Sequence, residues 1–265
     1  MTPRPRSATR RIDRGRNHEY VLDGVKCDGV TTLLNAGIPK PALVGWAARS
    51  VAEFVAGHRH VLTELTDDEL VDLAKGVPYR DRDQAANRGT EVHRLAAELA
   101  VGRDVEVPGE LVGHVDADLD FVKRWQPEIE LVEATVINRR HRYMGTLDLV
   151  CHLPGLGRTL VDLKTNRTGP FGEVALQLVA YGRAETYLEE NGGDLIERPM
   201  PAIDSYAVLW LTGDSWELYR YDVGEREWRT FLFVAEVARW LDQRAKVVRG
   251  EPLARPPAAL TVAAS

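Results

Sequence analysis

Cysteine is almost missing from this chain. Two residues, Cys27 and Cys151, among 265 cannot build a disulfide framework, a four-cysteine zinc site or a cysteine-ligated iron–sulfur cluster, so a reducing, cytoplasmic setting is expected. No apolar run is long enough to cross a bilayer, and the N-terminus lacks the apolar stretch of a secretory signal. A surplus of positive charge is missing too. Forty acidic residues against thirty-four basic ones give a net charge of −6, which argues against coating nucleic acid through bulk charge. There is no Gly-x-x-x-x-Gly-Lys-Ser/Thr loop, so no helicase-type nucleotide site, and no internal repeat.

What is present is an ordinary globular composition, 44% hydrophobic and 28% charged, which is enough for a sizeable core in one or two domains. The charge is uneven. Arg4, Arg6, Arg10, Arg11, Arg14 and Arg16 stand against Asp13 alone, so the first sixteen residues carry +5 and the rest −11. With two prolines and few apolar residues, 1–17 reads as a basic, disordered arm.

Residues 18–127 read as mainly helical. An extended stretch at 19–22 leads to VTTLLNAG, a short helix capped by Thr31 and stopping near Gly37. Helices are expected at 41–58, after the Thr66/Glu69 capping box, at 82–100 and at 110–125. Beyond Pro127 the period changes to alternation, predicting strands at 129–137, 143–153 and 159–165. A helix at 172–188, strands at 202–211 and 216–221, and a long helix at 225–248 follow. The Pro/Ala-rich 251–265 reads as a loose tail.

The informative segment is GTLDLVCHLPGLGRTLVDLKTN. A hairpin centred on Gly155 pairs residues whose numbers sum to 310, setting Asp148 opposite Asp162. Opposed side chains in a sheet lie about 4.5–5.5 Å apart at Cβ, so two carboxylates there require something cationic between them, a divalent metal being the obvious candidate. Period-two alternation puts Lys164 on the Asp162 face. Two carboxylates and an ammonium suit phosphodiester hydrolysis: oxygen ligands hold Mg²⁺ or Mn²⁺, which activates water, and the lysine stabilises developing charge. An Asp-x-Lys triplet alone arises about once per chain of this composition. The apolar strand around it and the second Asp in register raise its weight.

Gly145-x-x-Asp148, Asp162-x-Lys164 and Gln177-x-x-x-Tyr181, preceded by RGTEVH at 88–93, resemble the PD-(D/E)XK nuclease superfamily, in particular its RecB-type and phage exonuclease branch. The opening GVTTLL … LVGWA is also similar to phage members, and the likeness spans roughly 18–250. It implies an α/β (α+β) fold with a restriction-endonuclease-like core over 128–250, a mixed sheet flanked by helices, beside a helical N-terminal half. It further implies metal ligation by Asp148, Asp162, the Leu163 carbonyl and His93, with Lys164 catalytic and Gln177 and Tyr181 steadying the scissile phosphate or a metal-bound water. Glu133 is a possible outer acidic contributor, and iron–sulfur relatives are excluded.

Read alone, His93, Gln177 and Tyr181 suit plain helix packing. Arg88 and the basic turn Arg139, Arg140, Arg142 are candidate DNA contacts, although a solvated hairpin tip reads equally well. The resemblance implies a Mg²⁺- or Mn²⁺-dependent DNA exonuclease of phage or prophage recombination and repair, cytoplasmic in its host, with DNA as partner and a single-strand annealing recombinase as a further candidate partner. An endonuclease of the same fold and an inactive nuclease-like DNA-binding subunit are the alternatives. Digestion polarity, strand preference and oligomeric state have no legible code.

Overall fold

The structure, a computed structural model, describes residues 8–14 and 17–254. Arg4, Arg6 and Arg16 of the expected arm, and 255–265 of the expected tail, lie outside the described residues. In chain order the strands are β1 (Arg10–Arg14), β2 (Asn17–Leu22), β3 (Val25–Gly29), β4 (Glu128–Asn138), β5 (Tyr143–Leu153), β6 (Gly157–Lys164), β7 (Thr186–Asn191), β8 (Asp194–Pro199), β9 (Ser205–Leu211) and β10 (Trp216–Tyr221). The helices are α1 (Val30–Gly37), α2 (Pro41–Gly57), α3 (Arg59–Leu62), α4 (Asp67–Ala100), α5 (Val112–Trp125), α6 (Val174–Gly182) and α7 (Glu225–Arg239). The architecture is mixed α/β, with one branched, curled sheet between helices.

The hydrophobic pattern explains the layers. On one face, Val30, Leu33 and Leu34 of α1, Leu178 and Val179 of α6, and Phe231 and Ala235 of α7 pack on Ala134, Val136, Tyr143 and Leu160. On the other, Val92 and Leu95 of α4 and Val115 and Phe121 of α5 pack on Leu149, Cys151, Val161 and Leu209. Both cores are strand residues whose alternation feeds two helical layers.

One edge of β5 is shared by two strands. β3 pairs with it in parallel at Tyr143 and Met144, while β6 pairs antiparallel from Leu149 to Leu153. Gly145 to Asp148 lie between these two ladders, where the sheet branches. The alternation also slips here. Leu147 packs under α1, α6 and α7, whereas Leu149 packs under α4 and α5; two residues apart, they belong on one face of a regular strand. On the neighbouring β4 the same slip separates Val132 from Ala134. It occurs at Glu133, whose φ of 48° is left-handed. A non-glycine residue there costs on the order of 1–3 kcal/mol, a cost typical of functional sites.

Several expectations need correction. Residues 10–14 of the supposed disordered arm form β1, paired along its length with β2, because Arg11 and Thr9 find partners on the body of the protein. Gly29, not Thr31, precedes α1. The capping box at Thr66 and Glu69 is real, but the two helices expected after it are one of 34 residues that runs through Pro78. The helix expected over 172–188 ends at Gly182, where a Cβ would strike the Tyr206 ring. The chain then turns back, Glu185 N–H bonding to the Ile137 carbonyl, and forms β7 along β4 and β8 along β7. The last helix stops at Arg239 and loosens into a π-turn over Trp240–Arg244. Because β3 joins the same sheet as β5, the division at 127/128 separates no independent layers. Among the described residues no helix is long and apolar enough to cross a membrane.

Candidate metal centre

The hairpin register is the expected one: the paired residues from Leu153↔Gly157 to Leu149↔Val161 all sum to 310. One step further, where Asp148 would face Asp162, the ladder gives way to a side-chain contact. Asp148 Oδ2 accepts the Leu163 N–H at 2.7 Å, and its Oδ1 lies 3.2 Å from Nδ1 of His93. His93 reaches the sheet from the penultimate turns of α4, whose Val92 and Leu95 are buried on either side. Glu133, opposite Asp148 across the β4–β5 register, completes a group. One ligand atom from each of His93, Glu133 and Asp148 lies within 4.8 Å of the others.

Asp162 has a different role from the one its opposition to Asp148 implied. Its side chain is 1% exposed; one oxygen takes the Lys164 ammonium and the other takes Gln177 Nε2 at 2.8 Å. The same Nε2 lies 3.3 Å from the buried Tyr181 hydroxyl. The repulsion between opposed acids is therefore met by the protein's own cations, Lys164 on Asp162 and His93 on Asp148. Gly145 is required by this packing, since a Cβ at that position would overlap the Tyr181 ring.

Electrostatics follow from the pairing. Burial pushes the His93 pKa down, but the charge and hydrogen bond of Asp148 outweigh it and lift the imidazole to about 9. Burial raises Asp148, and His93, Lys164 and the Leu163 N–H together more than reverse this, so it stays ionised below the ordinary carboxylate range. Glu133 is pushed up to about 7, by burial first and by the Asp148 charge second. Burial drives Asp162 up, only partly offset by Lys164. The carboxylates Asp162 and Asp148 hold Lys164 protonated against its own burial. The set is rich in anionic oxygen, with one imidazole and a neighbouring ammonium. Such donors could hold a divalent metal ion.

The group opens onto a cleft of about 740 Å³. Its walls bring in residues that sequence reasoning passed over. Arg11 of β1 donates to Thr146 Oγ1 at 3.1 Å, and the Tyr20 hydroxyl meets the same oxygen at 2.9 Å. Thr146 lies inside the Gly145-x-x-Asp148 element, the one signal that could have marked it. Behind the group is a largely apolar cavity of about 120 Å³ between α4, α5 and the sheet. Asp118, buried there, is pushed up to about 6 by that burial.

The basic turn does not join the site. Arg139 is committed to Glu197, at 2.6 Å through two nitrogens, and to Asp23 at 3.1 Å. The Arg140 N–H bonds to Glu185, and the Arg142 carbonyl accepts from Arg239. These contacts tie the turn to β8 and α7 and commit the Arg139 guanidinium to acids. Arg88 lies five residues before His93 on α4 and lines an adjoining groove.

No family model matches the chain, and no curated protein matches it. Among solved structures, one described as "Crystal structure of SSO0001" superposes with a TM-score of 0.30 at 13% identity, over 57% of this chain and 85% of that one; a superposition of that quality assigns no family.

Proposed function

We propose that the chain is a metal-dependent deoxyribonuclease of the PD-(D/E)XK type, with a restriction-endonuclease-like core built from β4, β5, β6, β9 and α6. The observation that carries this reading is the meeting of His93, Glu133 and Asp148 within 4.8 Å, beside the buried Asp162–Lys164 pair. Five acid or base side chains from α4 and the strands β4, β5 and β6 converge at a branch in the sheet, at a strained backbone position. Structural ion pairs rarely need left-handed glutamate.

A divalent cation held by Asp148, Glu133 and His93, with Asp162 and the Leu163 carbonyl as further candidate ligands, would neutralise a phosphodiester and make water nucleophilic at neutral pH. The protein's own groups do the rest. His93 must give up its proton to become a ligand. Asp148 is kept ionised and aimed by the Leu163 N–H. Lys164, protonated and held by Asp162, offers charge to a pentacovalent phosphate. Gln177 and the neutral Tyr181 phenol fix the Asp162 carboxylate from the α6 side, which makes them positioning residues in the resting state. Arg11, on the far wall, supplies a second cation for the phosphate backbone.

The test is digestion of end-labelled linear and covalently closed circular DNA with Mn²⁺ or Mg²⁺. Release of products from ends with circles spared is expected, as for an exonuclease of recombination or repair. Cut circles would assign an endonuclease. Absence of cleavage with either metal, with binding retained, would leave an inactive DNA-binding subunit.

A further inference from the structure

A second groove of about 660 Å³ adjoins the metal cleft and shares Gly89, His93 and Lys164 with it. It lies between α2, α4 and the loop after β6. Gly89 stands at the junction, where a Cβ would come within 3.1 Å of Thr165 Oγ1, so α4 crosses the end of β6 closely and leaves the passage clear. Trp46 of α2 lines the groove and is 38% exposed. No residue of α2 is buried, though the helix is rich in apolar side chains. Arg88 and Arg167 line the same groove, and neither guanidinium has a hydrogen bond or ion pair among the described residues. At the main cleft Arg94 is paired with Glu91 and Arg103 with Glu98, leaving Arg11, which rests on Thr146 and on the exposed Asp13, as the cation of that wall. Asp81 is the acidic member of the groove, and Arg82 beside it is bound to Asp83.

A partly exposed indole in a groove that two guanidinium groups also line suits an unpaired nucleotide, its base stacked on the ring and its phosphates on the arginines. A duplex hides its base faces from such a platform. Gly-lined passage from this groove to His93 and Lys164 makes the two spaces one track with the candidate metal group near its middle.

We infer that the Trp46–Arg88–Arg167 groove binds the unpaired strand of DNA adjoining the scissile phosphate, so that the substrate is single-stranded DNA or a frayed or overhanging end. This rests on the nuclease reading above. Stacking through Trp46 supplies base contact without sequence readout, and Arg88 and Arg167 neutralise two successive stretches of backbone.

The experiment measures binding of three labelled oligonucleotides, single-stranded, blunt duplex and duplex with an unpaired overhang, in EDTA so that nothing is cleaved. Wild type is expected to favour the single strand and the overhang. Trp46→Leu should weaken those two by about tenfold, with Trp46→Phe restoring most of it and blunt-duplex binding unmoved. Arg167→Gln, a change at an exposed loop residue, should flatten the salt dependence by about 0.7 units of log–log slope on the single strand. Equal affinity for all three DNAs, or equal losses for Trp46→Leu on all three, would overturn the groove assignment while leaving a nuclease in place. No binding of any DNA and no cleavage with Mn²⁺ would remove the nuclease reading itself, and the groove with it.

Discussion

Nδ1 of His93 lies 3.2 Å from Oδ1 of Asp148, a contact that joins α4 to β5 across 55 residues of sequence. With the imidazole lifted to about 9 by that carboxylate, the pair is an ion pair at neutral pH. A cation coordinated by His93 must displace a proton.

Metal affinity should therefore climb with pH. Below the His93 pKa of about 9 one proton is released per ion bound, giving about tenfold in apparent affinity per pH unit, and below the Glu133 pKa of about 7 the dependence steepens. Mn²⁺ titrations by calorimetry from pH 6 to 9 in buffers of different ionisation heat would read both proton counts. A flat profile would remove His93 from the ligand set. Without metal the sign reverses. The raised His93 pKa contributes stability present in full below 6.5 and lost as pH rises towards 9, so the metal-free melting temperature should fall over that window.

Glu133→Gly separates strain from function. Glycine accepts the left-handed backbone at φ 48° without the cost of about 1 kcal/mol that a side chain incurs, and the raised carboxyl disappears. The metal-free protein should melt at an equal or higher temperature, while the stabilisation by Mn²⁺ should shrink. An unchanged Mn²⁺ shift would place Glu133 outside the ligand set.

Breaking the Asp162–Lys164 pair should be costly. Opposed acids alone would predict that removing Asp162 relieves repulsion, but Lys164 already sits on it. Lys164→Met would strand a carboxylate that is 1% exposed, a loss of about 3 kcal/mol, the lower end for a buried pair because Lys164 keeps some solvent. Denaturant melts of Lys164→Met, Asp162→Asn and the double variant test it. The double variant should recover part of the loss, and purely additive losses would mean that the two groups are not coupled.

Gly145→Ala should drive the Tyr181 ring from its place, since the new methyl would overlap it. Overpacking of this kind costs about 1–3 kcal/mol. It should also loosen Gln177, whose Nε2 bonds to both Tyr181 and Asp162. Adding Tyr181→Leu should restore melting temperature without restoring cleavage. Failure of the second change to restore stability would point to another clash.

Arg11 and Arg139 should behave oppositely. Arg11→Ala removes a cation from the cleft wall and should flatten the salt dependence of DNA affinity by about 0.7–0.9 log units per log unit. Arg139→Ala unties Glu197 and Asp23 and should lower stability while leaving that slope alone. The reverse result would return the basic turn to the DNA interface.

Local information carried much of this. Alternation placed β5, β6 and β10 nearly residue for residue, and the Gly155-centred hairpin set the register that brings Asp148 and Asp162 to the same level. The Thr66–Glu69 box started α4 where expected. Asp148, Asp162, Lys164, His93, Gln177 and Tyr181 do come together.

What failed was non-local. Residues 183–188 continue a helical pattern, yet 183–185 turn back and 186–188 open β7, because the exposed edge of β4 offers hydrogen bonds that a longer helix would leave unused. The arginine-rich start reads as unstructured because its partners, Thr146 and β2, are not in its own window. Composition and period determined by themselves a sizeable core and a change from helical to alternating pattern beyond Pro127, and turn chemistry determined one hairpin register. Only the tertiary structure decided which acid stands with His93. The branching of the sheet at Gly145–Asp148 and the left-handed backbone of Glu133 turn that glutamate towards the site, while burial binds Asp162 to Lys164. Both depend on contacts between segments tens of residues apart, whose energies no single stretch of sequence contains.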